Sequence, residues 1–356
     1  MQPRSRLFEA PMTNRQILVI GPSWIGDMIL AQSLFKLLKQ QDEACAIDVA
    51  APAWTLPLLE RMPQVREAIP LPFRHGKLDL WQRLHIGRAL RPKGYQHAIV
   101  LPNSFKSAIL PFAAGIPRRT GFRGEMRYGL LNDLRRLDPV RLPMTVQRFV
   151  ALGLPPEAPL PEPLPRPELI ASPAGAVHAL HRLGRELPSR AVLGLCPGAE
   201  YGPAKRWPEE HYAAVACWAL EQGYEVWLFG SAKDAAITQA IDRLSGNRCL
   251  DLGGKTRLGE AIDLMSLCSA VVSNDSGLMH VAAALDRPLV ALYGSSDPHH
   301  TPPMSERASI LHLGLPCSPC FARECPLGHL KCLRDIAPEQ VIERLAPRLA
   351  EALPKA

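Results

Sequence analysis

Residues 154–173 hold eight prolines in twenty positions, and no other property of this 356-residue chain narrows its folding as much. Proline fixes φ and lacks a backbone donor, so such a segment enters neither a helix interior nor a central strand. It is a stiff connector. The chain is thereby divided into two halves, each long enough to bury a core of its own.

Both halves carry the same alternation. In the first, Gln16-Ile17-Leu18-Val19-Ile20 is a short apolar run closed by Gly21-Pro22-Ser23-Trp24-Ile25-Gly26-Asp27, after which Leu30, Leu34, Leu37 and Leu38 recur at helical spacing. Strand character returns at 46–50 and 97–101, between helical patterns near 56–62, 78–90 and 104–114. In the second half, strands over 192–196, 225–229, 270–272 and 289–293 alternate with helices over 208–222, 234–244 and 258–268. This order predicts an α/β chain with two doubly wound parallel sheets. The expected divisions are an extension over 1–14, a domain over 15–153, the connector 154–174, a second domain over 175–336 and a terminal segment 337–356. In the last, Val341, Leu345 and Leu349 mark an amphipathic helix that Pro347 should kink or end, and that is expected to return against the first half.

With 47% hydrophobic and 21% charged residues the chain is globular, which excludes a disordered class. No apolar run reaches the roughly 18 residues of a membrane span. Residues 1–13 hold Arg4 and Arg6 but no apolar core, unlike a secretory signal, so nine cysteines point to a reducing compartment. Four of them, Cys317, Cys320, Cys325 and Cys332, lie beside His329. The C-x-x-C pair is half a zinc pattern, but the later spacings fit no finger or ribbon, leaving a structural metal and reduced thiols both open. The +7 net charge is uneven, with Arg118, Arg119, Arg123, Arg127, Arg135, Arg136 and Arg141 crowded together. An anionic partner or a solvated basic face accounts for this cluster, while the scarcity of interleaved aromatics disfavours nucleic acid.

Four turns at strand ends carry the chemistry. The turn 21–27 lacks both the Walker residues and G-x-G-x-x-G. It places Asp27 at a helix start, where it serves as a general base or simply favours the helix dipole. The turn 197–208 has Gly198, Lys205 and Arg206 to hold a diphosphate, with Trp207 as its anchor. In the third, Asp234 suits either ribose hydroxyls or a helix cap. The fourth, Ser273-Asn274-Asp275-Ser276-Gly277-Leu278-Met279-His280, opens a helix. Asp275 and Ser276 are expected to cap it while the Ser276 and Gly277 N–H groups face a phosphate; an ordinary capped helix is the alternative. No D-x-D triplet occurs, so neither a metal-bridged diphosphate nor a cofactor is expected.

Together the turn ending at Asp27, Cys196-Pro197-Gly198-Ala199 with Lys205-Arg206-Trp207-Pro208, and Asn274 through His280 resemble the ADP-heptose:lipopolysaccharide heptosyltransferases, glycosyltransferase family 9. Trp24-Ile25-Gly26-Asp27-Met28 and the cysteine segment from Pro316 to His329 are most similar to the branch that adds the second heptose. The resemblance implies a GT-B fold, two Rossmann-like domains facing across a cleft, the first for acceptor and the second for donor. It implies inverting transfer from ADP-L-glycero-β-D-manno-heptose to the first heptose of heptosyl-Kdo2-lipid A, through an α-(1→3) bond. Asp27 is then the base and Lys205 meets the diphosphate. Gly26, Gly198, Arg206, Asp275, Ser276, Gly277 and His280 line the donor site, with Asp234 at the ribose. Arg118, Arg119, Arg123 and Arg127 are assigned to the acceptor's anionic groups. A cytoplasmic enzyme, peripheral at the inner leaflet of the inner membrane and closing at the connector, follows. Two alternatives stay open: a heptosyltransferase I-type enzyme acting on Kdo2-lipid A, and a sugar-nucleotide-binding or epimerase protein of the same fold.

Overall fold

The computed structural model describes residues 15–73 and 76–350; the extension expected over 1–14 lies outside them, as do the last six residues. The first half runs β1 (Gln16–Ile20), α1 (Ile25–Gln41), β2 (Ala46–Pro52), α2 (Leu56–Leu59), β3 (Val65–Leu71) and α3 (Leu80–Ala89). It continues through β4 (His97–Val100), α4 (Ile109–Ala113), β5 (Arg118–Phe122), β6 (Asp133–Arg135) and α5 (Thr145–Leu152). The second half runs α6 (Pro173–Arg182), β7 (Val192–Cys196), α7 (Glu209–Glu221), β8 (Glu225–Leu228), α8 (Ala235–Leu244) and β9 (Leu250–Asp251). It ends with α9 (Leu258–Met265), β10 (Ala270–Asn274), α10 (Gly277–Ala284), β11 (Leu289–Tyr293), β12 (Ala308–His312), α11 (Lys331–Arg334) and α12 (Pro338–Ala350).

The strands form two six-stranded parallel sheets, ordered β3-β2-β1-β4-β5-β6 and β12-β11-β10-β7-β8-β9. Read from its other edge, the second sheet repeats the order of the first. In each the order reverses beside the first strand, between β1 and β4 and between β7 and β10. At such a switch point the flanking loops diverge and open a crevice outside the strands' carboxyl ends. The central strands are apolar on both faces because helices cover both: β7, β10 and β11 are buried throughout.

One continuous core joins the halves, with Leu30 and Leu34 of α1 in the same cluster as Met279 and Ala282 of α10. A second tie is ionic: Arg61 donates to both oxygens of the buried Asp263, at 3.2 and 2.7 Å. Residues 153–172 form no helix or strand. They are nevertheless bonded to both halves, since Glu168 exchanges two hydrogen bonds with the Gln32 side chain and the Leu169 N–H donates to Ala284 O.

The terminal helix departs from expectation. Its described residues, 338–350, pack chiefly on α7, β10 and β11 of the second half. Val341, Leu345 and Leu349 are fully buried there, and the helix continues past Pro347 to Ala350. Burying three such side chains, at about 1.5–3 kcal/mol each, outweighs the roughly 3 kcal/mol of an interior proline.

Candidate active site

The loops at the two switch points face one another. Gly26 opens α1 and Gly277 opens α10, and the two helix starts are in contact. A Cβ on Gly26 would lie 2.7 Å from the His280 ring, and one on Gly277 would lie 2.8 Å from Ile25 Cβ. Neither glycine has a positive φ; what each position requires is the missing Cβ. Two helix N-termini therefore meet at one place, and their unpaired N–H groups make it attractive to an anion. No side chain caps α10. The expected capping by Asp275 and Ser276 is replaced by other bonds, because Asp275 has a cation to meet and the Ser276 hydroxyl lies 3.3 Å from Ser273 Oγ.

That cation is Lys205, whose Nζ donates to Asp275 Oδ2 at 2.6 Å. The pair links the loop after β7 to the loop after β10. Asn274, fully buried, holds the same two loops: its Oδ1 accepts from Trp207 N–H and Tyr212 O–H, and its Nδ2 donates to Pro197 O. Trp207 is buried as its anchoring role requires, with Nε1 donating to Ile336 O. Arg206 in the same loop has a buried Nε without a partner among the described residues.

Asp27, in the first turn of α1, completes the cluster. Burial pushes its carboxyl up to about 6; His300 and Lys205 oppose this and Asp275 reinforces it. A carboxylate so adjusted takes up a proton close to neutral pH, as a general base must. Burial also pushes His280 down to about 4, so its imidazole is neutral at pH 7 and serves as packing between the helix starts.

Comparison with known proteins agrees with this geometry. Residues 83–331 match glycosyltransferase family 9 (heptosyltransferase). The chain belongs to that family. It is 48% identical over 339 residues to lipopolysaccharide heptosyltransferase 2 of Escherichia coli K12, covering 93% of this chain and 97% of the relative. It is 49% identical to lipopolysaccharide heptosyltransferase 2 of Salmonella typhimurium, covering 94% and 99%. The solved structure of E. coli ADP-heptose lps heptosyltransferase II superposes with a TM-score of 0.85 at 46% identity, covering 95% of this chain and 99% of that one. The fold is thus GT-B, and the protein is a glycosyltransferase.

Elsewhere in this family 9 enzyme the structure reassigns several expected site residues. Asp234 caps its own turn, accepting from Ser231 N–H and Oγ at 3.0 and 2.7 Å, and Gly198 leaves room for its carboxylate. Both bonds go to Oδ2, so its alternative reading as a cap is met by that one oxygen. Three of the four arginines assigned to the acceptor are engaged within the first half. Arg127 is buried, donating to Pro102 O, Phe122 O, Asn103 Oδ1 and Ser107 Oγ. It therefore builds its loop and does not face an acceptor. Arg119 donates to Ile116 O and Leu130 O, and Arg118 pairs with Asp133. Arg123 alone of the four is exposed without an ion pair among the described residues. Arg127→Ala is expected to cost about 3–5 kcal/mol of stability, read as a fall in Tm, while the folded fraction transfers within about threefold of wild type. Normal stability with lost acceptor affinity would return Arg127 to the site.

Two features at the crevice were absent from the sequence reading. His300, after β11, reaches the first half, where its Nδ1–H donates to Pro143 O at 2.8 Å and its backbone O accepts from Thr145 N–H. Ser295 and Ser296, also after β11, have buried hydroxyls without partners among the described residues. The Gly294-Ser295-Ser296 turn at a strand end was the available signal. The four clustered cysteines and His329 line one cavity against Ala204. They are free thiols, and among the described residues no three His, Cys, Asp or Glu side chains are placed to hold a metal ion.

Proposed function

We propose that the enzyme moves L-glycero-D-manno-heptose from ADP-L-glycero-β-D-manno-heptose to the first heptose of heptosyl-Kdo2-lipid A, forming the α-(1→3) bond with inversion. The observation that carries this reading is the meeting of Asp27 with the Lys205–Asp275 pair where the two switch points face each other. Inversion in one displacement needs a base on one side of the anomeric carbon and an anion sink on the other. In this reading the acceptor hydroxyl gives its proton to the Asp27 carboxylate as its oxygen bonds to the anomeric carbon. The carbon–oxygen bond to the β-phosphate breaks, and its electron pair leaves on ADP. Lys205, Arg206 and the start of α10 receive that charge, so no metal or other cofactor is assigned a part.

A cytoplasmic enzyme, peripheral at the inner-membrane face, suits a water-soluble nucleotide sugar and a lipid-linked acceptor. No helix among the described residues is long and apolar enough to cross a membrane. Mass analysis after incubation with ADP-heptose and a defined one-heptose acceptor should find one added heptose. Transfer to Kdo2-lipid A instead would place the enzyme one step earlier. Turnover of donor with no acceptor present would favour an epimerase.

A further inference from the structure

Every loop leaving the carboxyl edge of the first sheet exposes a large apolar side chain. Trp24 follows β1, Trp54 follows β2, Trp81 follows β3, Phe105 follows β4, Met126 follows β5 and Val140 follows β6. All six strands are parallel, so these loops share the edge that carries Asp27. Among the described residues of the second sheet, only the loop after β12 does the same.

The series is built into the fold. Trp54 Nε1 donates to Ser23 O at 3.0 Å, joining the first two loops. The buried Arg83 donates to Leu78 O and Lys106 O, joining the loops after β3 and β4. Phe105 N–H donates to Glu125 Oε2 at 2.8 Å, joining the loops after β4 and β5. Val140, Met126 and Trp81 stand furthest into solvent, at 88%, 80% and 79% exposed, and Trp81 and Met126 are the two largest of these side chains. A soluble surface rarely gathers so many large apolar groups without an occupant.

Charge selects the occupant. Residues 15–153 hold twenty Lys and Arg against ten Asp and Glu, a net +10 in a chain of net +7. Exposed Lys77 and Arg123 lie in two of these loops. Two copies of so cationic a half repel each other. Tryptophan and apolar side chains among cations match the interface of an anionic bilayer. We propose that this edge docks on an anionic lipid surface, with Trp81 and Met126 entering the headgroup layer and the surrounding cations meeting lipid phosphates. The choice of a bilayer rests on the reading that the acceptor is lipid-linked; docking then holds the Asp27 mouth against the membrane.

The test uses the full chain and the double variant Trp81→Glu, Met126→Glu. Wild type should sediment with phosphatidylglycerol-containing vesicles and not with phosphatidylcholine vesicles, and the variant's partition should fall about tenfold or more. Transfer to the vesicle-embedded acceptor should fall in parallel, while transfer to the same acceptor stripped of its acyl chains stays within about twofold. Unchanged vesicle binding by the variant overturns the proposal. So does equal loss with both acceptors, which would make the edge a sugar-reading surface, or a shift from dimer to monomer, which would make it a self-association face. Wild type that binds anionic vesicles but transfers heptose to neither acceptor would reject the function proposed above and leave the docking supported.

Discussion

Asp27→Asn should lower kcat/KM for heptosyl transfer by about 10²–10⁴-fold while leaving the donor Kd within about threefold. The substitution keeps the shape and removes the proton acceptor. In the wild type, kcat/KM should fall about tenfold per pH unit below about 6, where Asp27 protonates, and level off above it. Burial raises that midpoint, and the groups that face Asp27 adjust it, His300 and Lys205 downward and Asp275 upward. The same raised value makes a stability prediction. Between about pH 4 and 6 the folded protein binds more protons than the unfolded chain, so stability falls as pH rises through that window. Above it the ionised carboxylate costs the fold up to about 3 kcal/mol. Asp27→Asn should therefore be more stable than wild type at pH 8, with the difference closing below pH 4. A variant that transfers at a tenth of the wild-type rate or better, or a wild-type profile flat from pH 5 to 8, removes Asp27 as the base.

The elements legible in the sequence were those with the most uniform surroundings. Strands β1, β7 and β11 lie between other strands under helices on both faces, so only apolar residues suit them and their limits stand out. The unread strands were β3, β5, β6, β9 and β12, which lie at or next to sheet edges. There one face is wet and the pattern is diluted by charge, as in Val65-Arg66-Glu67-Ala68 of β3. The arginines of β5 and β6 looked like a basic surface because their partner was invisible in one dimension. Burial would push the Asp133 carboxyl up, but Arg135, Thr120 and Arg118 hold it well below the usual carboxylate range. The site was legible as far as each strand–turn–helix unit reached, which gave Asp27, Lys205 and the 273–280 turn. The pairing of Lys205 with Asp275 across seventy residues was not, because a local reading assigns a carboxylate at a helix start to capping. Nor was His300, whose place depends on how the two halves pack.

Lys205 answers to two demands, and one set of variants separates them. Its ammonium neutralises Asp275, which is buried beside it, and it stands where the leaving diphosphate is expected. Lys205→Ala should weaken ADP-heptose binding by about tenfold or more and lower transfer by about 10²-fold or more, since a cation aimed at developing charge acts most strongly in the transition state. It should also destabilise the fold by about 3–5 kcal/mol, because the buried Asp275 carboxyl is left without its partner. The second effect endangers interpretation of the first, as a poorly folded variant loses activity for any reason. Adding Asp275→Ala removes the stranded carboxylate, so the double variant should regain most of the lost stability, a coupling expected of residues in direct contact. Donor affinity and transfer should stay as low as in Lys205→Ala. If the double variant instead regains transfer along with stability, Lys205 acts only as the counter-ion of Asp275, and the charge on the departing nucleotide must be met by Arg206 and the start of α10.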